Sequence, residues 1–159
     1  MINRRRVTAR LLAVGLMGAI AFLCGLIIPS PAMAAAADIT VYRSPTCSCC
    51  GQWIDHMQAA GFHVQDIVTE DMATIKAEYG VPEKMASCHT AIAGGYLIEG
   101  HVPAADVQRL LSERPDILGI AAPGMPIGSP GMESGPRVDS YTVFSFDQTG
   151  ETATFAEHP

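Results

Sequence analysis

Residues 38–53 read DITVYRSPTCSCCGQW and place a short strand directly before a cluster of cysteines. The first six residues alternate apolar and polar side chains, which predicts a half-buried β-strand. An apolar pattern at helical spacing follows the cluster and ends at Gly61. The cluster therefore lies between the end of a strand and the start of a helix, and it consists of Cys47, Cys49 and Cys50.

Strands and helices continue to alternate along the chain. The patterns predict a strand, a helix, a pair of strands joined at two glycines, and a third helix, over residues 62–68, 70–80, 90–100 and 102–115. Residues 115–137 are dense in Pro and Gly without periodicity, which predicts a loop, and residues 141–157 predict a β-hairpin. A β-α-β-α-β-β-α core with a cysteine motif after its first strand is typical of thioredoxin-like α/β proteins.

The N-terminus has the pattern of an export signal. Four arginines within the first ten residues precede an apolar run over residues 11–28 and an A-x-A sequence that ends at Ala34. This arrangement predicts a secretory signal peptide over residues 1–34 and one exported domain over residues 38–159. The apolar run is also long enough to span a bilayer, so an uncleaved anchor is the alternative. The arginines would then hold the N-terminus in the cytoplasm, and the domain is exported in either case.

The exported part is strongly acidic. All sixteen Asp and Glu lie beyond residue 34, where only six of the ten Lys and Arg remain, a net charge of −10. Such a charge excludes nucleic acid and anionic membrane surfaces as expected partners, and is compatible with cations. We expect contact with a membrane only if the N-terminal segment stays uncleaved.

The crowding of the cysteines argues for chemistry and against a structural disulfide framework. Cys47 and Cys50 form a C-x-x-C pair, and Cys47 and Cys49 form a C-x-C pair. A helix N-terminus stabilises a thiolate. Several thiolates in one place repel one another, and a soft cation relieves that repulsion. The spacing thus leaves two interpretations open, a redox dithiol and a metal site.

A fourth cysteine bears on that choice. Counting back from the turn at Gly94 and Gly95 places Cys88 and His89 where thioredoxin-like proteins keep a cis-proline that faces the dithiol. We therefore predict that Cys88 faces the other three cysteines and completes a four-sulfur group. His89, Met125 and Met132 are further candidate ligands, whereas His101 is interpreted as a cap of the following helix.

Three segments together resemble one known family. The motifs SPTCSCCGQW, SCHTAIAGGYLIEGHVPAADVQRLL and GMPIGSPGME are similar to those of the CopG-like exported bacterial copper-resistance proteins, which are unrelated to the plasmid repressor of the same name. The resemblance implies a thioredoxin-like fold, a periplasmic location and a cysteine-bridged, multinuclear copper centre with a role in copper redox handling. It implies copper ligation by four residues of this chain, namely Cys47, Cys49, Cys50 and Cys88.

Two functions follow from these observations. The first is a periplasmic protein that binds Cu(I) in copper resistance and works with periplasmic copper-handling proteins. The second is a thiol–disulfide oxidoreductase in which Cys47 attacks and Cys50 or Cys49 resolves. The missing proline and the extra thiols argue against the second. Zinc is a weaker candidate ion, since four thiolates also suit tetrahedral Zn²⁺.

Overall fold

The computed structural model describes residues 37–159, and the predicted signal peptide over residues 1–34 lies outside the described residues. Over residues 37–159 the fold is mixed α/β, with one seven-stranded sheet and three α-helices. In chain order the elements are β1 (Asp38–Arg43), α1 (Ser48–Ala59), β2 (His63–Val68), α2 (Met72–Tyr79), β3 (His89–Ala93), β4 (Tyr96–Gly100), α3 (Ala104–Glu113), β5 (Gly119–Ala122), β6 (Tyr141–Phe146) and β7 (Thr152–His158). Within residues 37–159, no helix is both long enough and apolar enough to cross a membrane.

The sheet follows the order β2-β1-β3-β4-β5-β6-β7. Strands β1 and β2 are parallel, as are β4 and β5, and the remaining neighbours are antiparallel. The predicted pair of strands is the β3–β4 hairpin, whose turn uses positive φ at Gly94 and Gly95. Strand β1 thus lies in the interior of the sheet, with its C-terminal end leading directly to the cysteine cluster.

Apolar clusters cover both faces of the sheet. Helices α1 and α3 pack their buried side chains, including Trp53, Met57 and Leu110, against one face. The Trp53 indole also donates a 2.8 Å hydrogen bond to the Val102 carbonyl, which ties α1 to the chain just before α3. A second cluster, with Phe146 at its centre, covers the other face together with Met85, Leu97 and Ala121. The two clusters fix the strand ends from which the cysteines and histidines project.

The prediction of a loop over residues 115–137 is wrong in part. Residues Gly119–Ala122 form strand β5 in the interior of the sheet, and all four are buried. A fully buried strand shows no alternation of apolar and polar residues, so a strand of this length leaves no periodic pattern in the sequence. The remaining residues between β5 and β6 contain no helix or extended strand, and the predicted C-terminal hairpin is β6–β7.

Candidate metal centre

The three clustered cysteines surround the N-terminus of helix α1. Cys47 is the N-cap residue and makes no side-chain capping bond, and Cys49 and Cys50 lie in the first turn. Unpaired backbone N–H groups and the helix dipole favour negative charge at this position. Cys47 and Cys50 form a disulfide, with Cys50 fully buried and Cys47 partly exposed. The Cys49 sulfur lies 3.5 Å from that of Cys47.

Cys88 lies beside this cluster, immediately before strand β3. Its sulfur and those of Cys47, Cys49 and Cys50 all lie within 4.8 Å of one another. The juxtaposition expected from the sequence is therefore observed, while a ligand role for the four sulfurs stays a prediction. Burial, reinforced by the neighbouring Cys49, raises the pKa of the Cys88 thiol to about 11. A cation at this point must therefore displace a firmly held proton.

A buried network behind Cys88 fixes the start of strand β3. The Glu99 carboxylate accepts hydrogen bonds from the Ser87 backbone N–H at 2.6 Å and from the Thr90 hydroxyl at 2.7 Å, and it pairs with Lys76. Burial raises the pKa of Glu99, although its hydrogen bonds and Lys76 oppose the shift. Because Ser87 directly precedes Cys88, the network holds the backbone from which the thiol projects.

His101 belongs to the site, which the sequence interpretation missed. Its Nε2 lies 2.9 Å from the Cys88 sulfur, and its Nδ1 is 2.8 Å from the Pro130 carbonyl oxygen, which can only accept. The expected capping role is wrong, because the first N–H of α3, that of Ala104, donates instead to His56 Nε2. Gly100, at φ +73°, turns the chain after β4 and so directs His101 toward Cys88.

His89 lies next to Cys88 and is completely buried. Its ring packs on Trp53 at a centroid distance of 4.4 Å and meets the ring of His101 edge-on at 5.1 Å. Nδ1 is 3.5 Å from the Cys88 sulfur, and Nε2 has no hydrogen-bond partner among the described residues. Burial, followed by the nearby His101 and Lys76, lowers the pKa of His89 well below its usual value. Burial likewise lowers the pKa of His101. Both shifts favour the neutral ring, in which one nitrogen keeps a lone pair.

The loop between β5 and β6 packs against the site. Gly131, at φ +83°, lies so close to α1 that a Cβ there would be 2.7 Å from the Trp53 backbone nitrogen and 2.8 Å from the Cys49 carbonyl oxygen. The Ser87 hydroxyl donates to the Gly124 carbonyl at 2.5 Å. In the same loop Met125 is 55% exposed and Met132 is partly buried. Ligation by either methionine stays a prediction.

Two solved structures are similar to this chain. Both are named copper resistance protein copG, in two forms. Each is 48% identical to this chain, and the match covers 78% of this chain. The match covers 99% and 98% of their own chains, with TM-scores of 0.75 and 0.74. A family model described as "Protein of unknown function, DUF411" matches residues 85–132. No curated protein sequence matches the chain. The family model's range takes in Cys88, both site histidines and the loop residues that contact them.

Proposed function

The chain belongs to the family of the copper resistance protein CopG, and on that premise we propose that it binds copper as Cu(I) in copper resistance. The observation that carries the proposal is the meeting of four cysteine sulfurs within 4.8 Å. The proposed ligands are Cys47, Cys49, Cys50 and Cys88.

The donor set fits a soft monovalent ion. Thiolates favour Cu(I) over harder cations, and one sulfur can bridge two metal ions. Four sulfurs within 4.8 Å are too many for one linear or trigonal ion and suit a centre that contains more than one. Positive charge there also compensates the mutual repulsion of neighbouring thiolates. His89 and the loop methionines Met125 and Met132 are proposed as additional donors at the edge of the centre.

The reduced form of the chain is the form that we propose binds Cu(I). In the structure Cys47 and Cys50 share a disulfide, whereas Cys49 and Cys88 are free. Opening that disulfide takes two electrons and two protons, which a dithiol reductant supplies, and it makes four thiols available. Copper redox handling coupled to these thiols forms part of the proposal.

We also propose that the first four strands and three helices form a thioredoxin-like unit. The element order β-α-β-α-β-β-α and the sheet order β2-β1-β3-β4 support this assignment. The Ser87–Cys88 segment then takes the place of the cis-proline segment, and no peptide bond in residues 37–159 is cis. In this proposal a copper ligand, Cys88, takes the position from which a proline would otherwise face the dithiol.

Export to the periplasm completes the proposal. It rests on the signal-peptide pattern of residues 1–34 and on the acidic domain that follows. A periplasmic domain with a cysteine-rich site can exchange copper ions with other periplasmic copper-handling proteins.

The Cys47–Cys50 disulfide favours one alternative, a thiol–disulfide oxidoreductase. The partly exposed Cys47 at the start of α1 has the position of an attacking thiol, and the fully buried Cys50 that of a resolving thiol. Neither Cys88 nor His101 is needed for that reaction, so the two functions make different demands on these residues.

Anaerobic titration of the reduced full chain with Cu(I), against a competing chelator of known affinity, separates the two functions. We expect more than one tightly bound copper ion per chain, lost in the double variant Cys47→Ser/Cys88→Ser. Cys24→Ser is the matched control, since Cys24 lies in the predicted signal peptide, and it should bind as the unchanged chain does. Weak copper binding together with efficient reduction of a disulfide substrate, unaffected by Cys88→Ser, would establish the alternative.

A further inference from the structure

We propose that Cys88, His89 and His101 form a second metal site, which takes one borderline divalent cation of the Zn²⁺ type while the Cys47–Cys50 disulfide is intact. One donor atom from each of the three residues lies within 4.8 Å of the other two. The disulfide removes two of the four sulfurs from the copper site but none of these donors. The inference therefore goes beyond Cu(I) binding and does not depend on it.

His101 already has the orientation of a metal ligand. Its Nδ1–H donates to the Pro130 carbonyl, and its Nε2 points at the Cys88 sulfur. Metal-binding histidines in proteins almost always donate their other ring N–H to a carbonyl or carboxylate, which fixes the tautomer and the ring orientation. The loop between β5 and β6 supplies this outer contact, so the lone pair of Nε2 faces the site before any ion arrives.

His89 supplies the second nitrogen. Its ring is completely buried, and its Nε2 has no hydrogen-bond partner among the described residues. Nδ1, the other ring nitrogen, lies 3.5 Å from the Cys88 sulfur, and it is the atom through which this ring would bind a cation between Cys88 and the two rings.

The number and type of donors select the class of ion. One thiolate and two neutral imidazoles are borderline donors that suit Zn²⁺ and its neighbours, whereas a purely thiolate group suits Cu(I). Ligand atoms in a tetrahedral zinc site are about 3.5 Å apart. The Cys88 sulfur lies 3.5 Å from His89 Nδ1 and 2.9 Å from His101 Nε2, so both sulfur–nitrogen distances are within about 0.6 Å of that spacing. Binding releases the Cys88 thiol proton to solvent.

The two sites share Cys88 and so exclude each other. When the disulfide is opened, Cys88 can join Cys47, Cys49 and Cys50 around Cu(I). When the disulfide is closed, the Cys47 and Cys50 sulfurs are bonded to each other, and the donors near Cys88 that stay free to bind a cation are the two histidines and Cys49. Cys49 is not part of the three-donor group. The state of one disulfide then decides which class of cation the chain holds.

Titration of the oxidised full chain with Co²⁺, a coloured substitute for Zn²⁺, tests the proposal. Mass spectrometry first verifies the Cys47–Cys50 disulfide in each preparation. We expect one Co²⁺ per chain with a thiolate charge-transfer band, displaced by Zn²⁺. Affinity should fall by about tenfold or more in His101→Ala and in Cys88→Ser. His63→Ala, which changes an exposed histidine, is the control and should leave the affinity unchanged. Cys49→Ser should keep the charge-transfer band, because the thiolate that produces it is that of Cys88.

Alkylation of the unsubstituted chain gives a second readout that does not depend on how a variant folds. Zn²⁺ should protect Cys88, and not Cys49, from iodoacetamide, as located by peptide mass spectrometry. The proposal is overturned if the oxidised chain shows no charge-transfer band, if Cys49→Ser abolishes the band, or if Zn²⁺ protects neither cysteine. Cu(I) binding is measured on the reduced chain, so either proposal can fail while the other stands.

Discussion

Two groups of buried polar side chains lie on opposite faces of strand β3, and their hydrogen bonds are completed to different degrees. On one face the Glu99 carboxylate accepts from Lys76, Thr90 and the Ser87 backbone. On the other, and among the described residues, His89 has a ring nitrogen without a hydrogen-bond partner, and the free thiol of Cys88 lies within hydrogen-bond distance of a hydroxyl and two imidazoles. His89 and Thr90 are consecutive in the strand and therefore point to opposite faces.

Together with the two proposals above, the difference assigns a structural role to the Glu99 group and a binding role to the sulfur and imidazole group. A buried carboxylate with three donors needs nothing further, so the Glu99 group can serve the fold alone. The sulfur and imidazole group leaves one ring nitrogen without a hydrogen-bond partner among the described residues and two thiols free, so it is the group with unused donor atoms. The two groups are joined by a single peptide bond, because the Ser87 N–H donates to Glu99 and Cys88 is the next residue in the chain. The complete cluster thus keeps the incomplete one in position.

The largest effect on stability should come from the complete cluster. Glu99→Ala leaves Lys76 without its partner and the Ser87 N–H without its acceptor. Breaking a buried ion pair costs about 3–5 kcal/mol, and we expect a loss near the lower end because Lys76 is 17% exposed. Urea denaturation of the metal-free chain measures the free energy of unfolding. Glu113→Ala, on the exposed end of α3, is the control and should change little.

A loss below about 1 kcal/mol in Glu99→Ala would contradict the structural role. Glu99→Gln sharpens the result, since the amide oxygen can still accept from Ser87 while the charge is lost. A much smaller loss in Glu99→Gln than in Glu99→Ala would assign most of the stabilisation to the hydrogen bonds.

A smaller effect is expected where the loop between β5 and β6 closes over the binding cluster. Gly131→Ala places a Cβ against the backbone of α1 at Trp53 and Cys49. Overpacking of this kind costs about 1–3 kcal/mol. Gly135 has a similar positive φ, but its Cβ would meet nothing within 4 Å, so Gly135→Ala carries the backbone strain without the clash.

The difference in unfolding free energy between these two alanine variants measures the contact of the loop with α1. We also expect Cys49 to be alkylated faster in Gly131→Ala than in Gly135→Ala, because the loop withdraws from the helix. Equal stability and equal alkylation rates would mean that the loop does not cover the site.

The order of the first seven elements and the meeting of the four cysteines could be predicted from the sequence, because the elements follow local patterns and the position of Cys88 follows from the thioredoxin-like arrangement that they indicate. Alternation predicts β1, spacing predicts α1, and the count back from the glycine turn places Cys88 beside the cluster. Strand β5 was missed because Gly119–Ala122 is buried on both faces and shows no alternation.

The histidine half of the site could not be predicted, because its geometry depends on distant parts of the chain. His101 turns toward Cys88 after the left-handed Gly100, and its outer partner is Pro130, 29 residues later. The sequence signal was weak: a histidine after a hairpin and before a helix is equally typical of a cap. The structure shows why residue 100 is a glycine: its φ is positive, and a Cβ there would collide with the Ser87 side chain.

The smallest expected effect on the free energy of unfolding is that of His89→Leu. It tests the comparison of the two faces of β3 most directly, because this substitution should raise stability whereas the others lower it. His89→Leu replaces a buried ring that has an unpaired nitrogen with an apolar side chain of similar size. Removing an unsatisfied polar group should raise the free energy of unfolding of the metal-free, disulfide-bonded chain by about 1 kcal/mol. His101→Leu is the matched change, and it should lower stability because the Pro130 carbonyl loses its donor. Urea denaturation of both variants provides the measurement.

Both leucine variants should lose Co²⁺ binding, so for His89 stability and binding are expected to move in opposite directions. That combination is typical of a binding residue that is retained at some cost to stability. If His89→Leu instead lowers stability by more than about 1 kcal/mol, packing of the ring on Trp53 is its main role. The two faces of strand β3 would then both be structural, and binding would rest on the sulfurs and His101 alone.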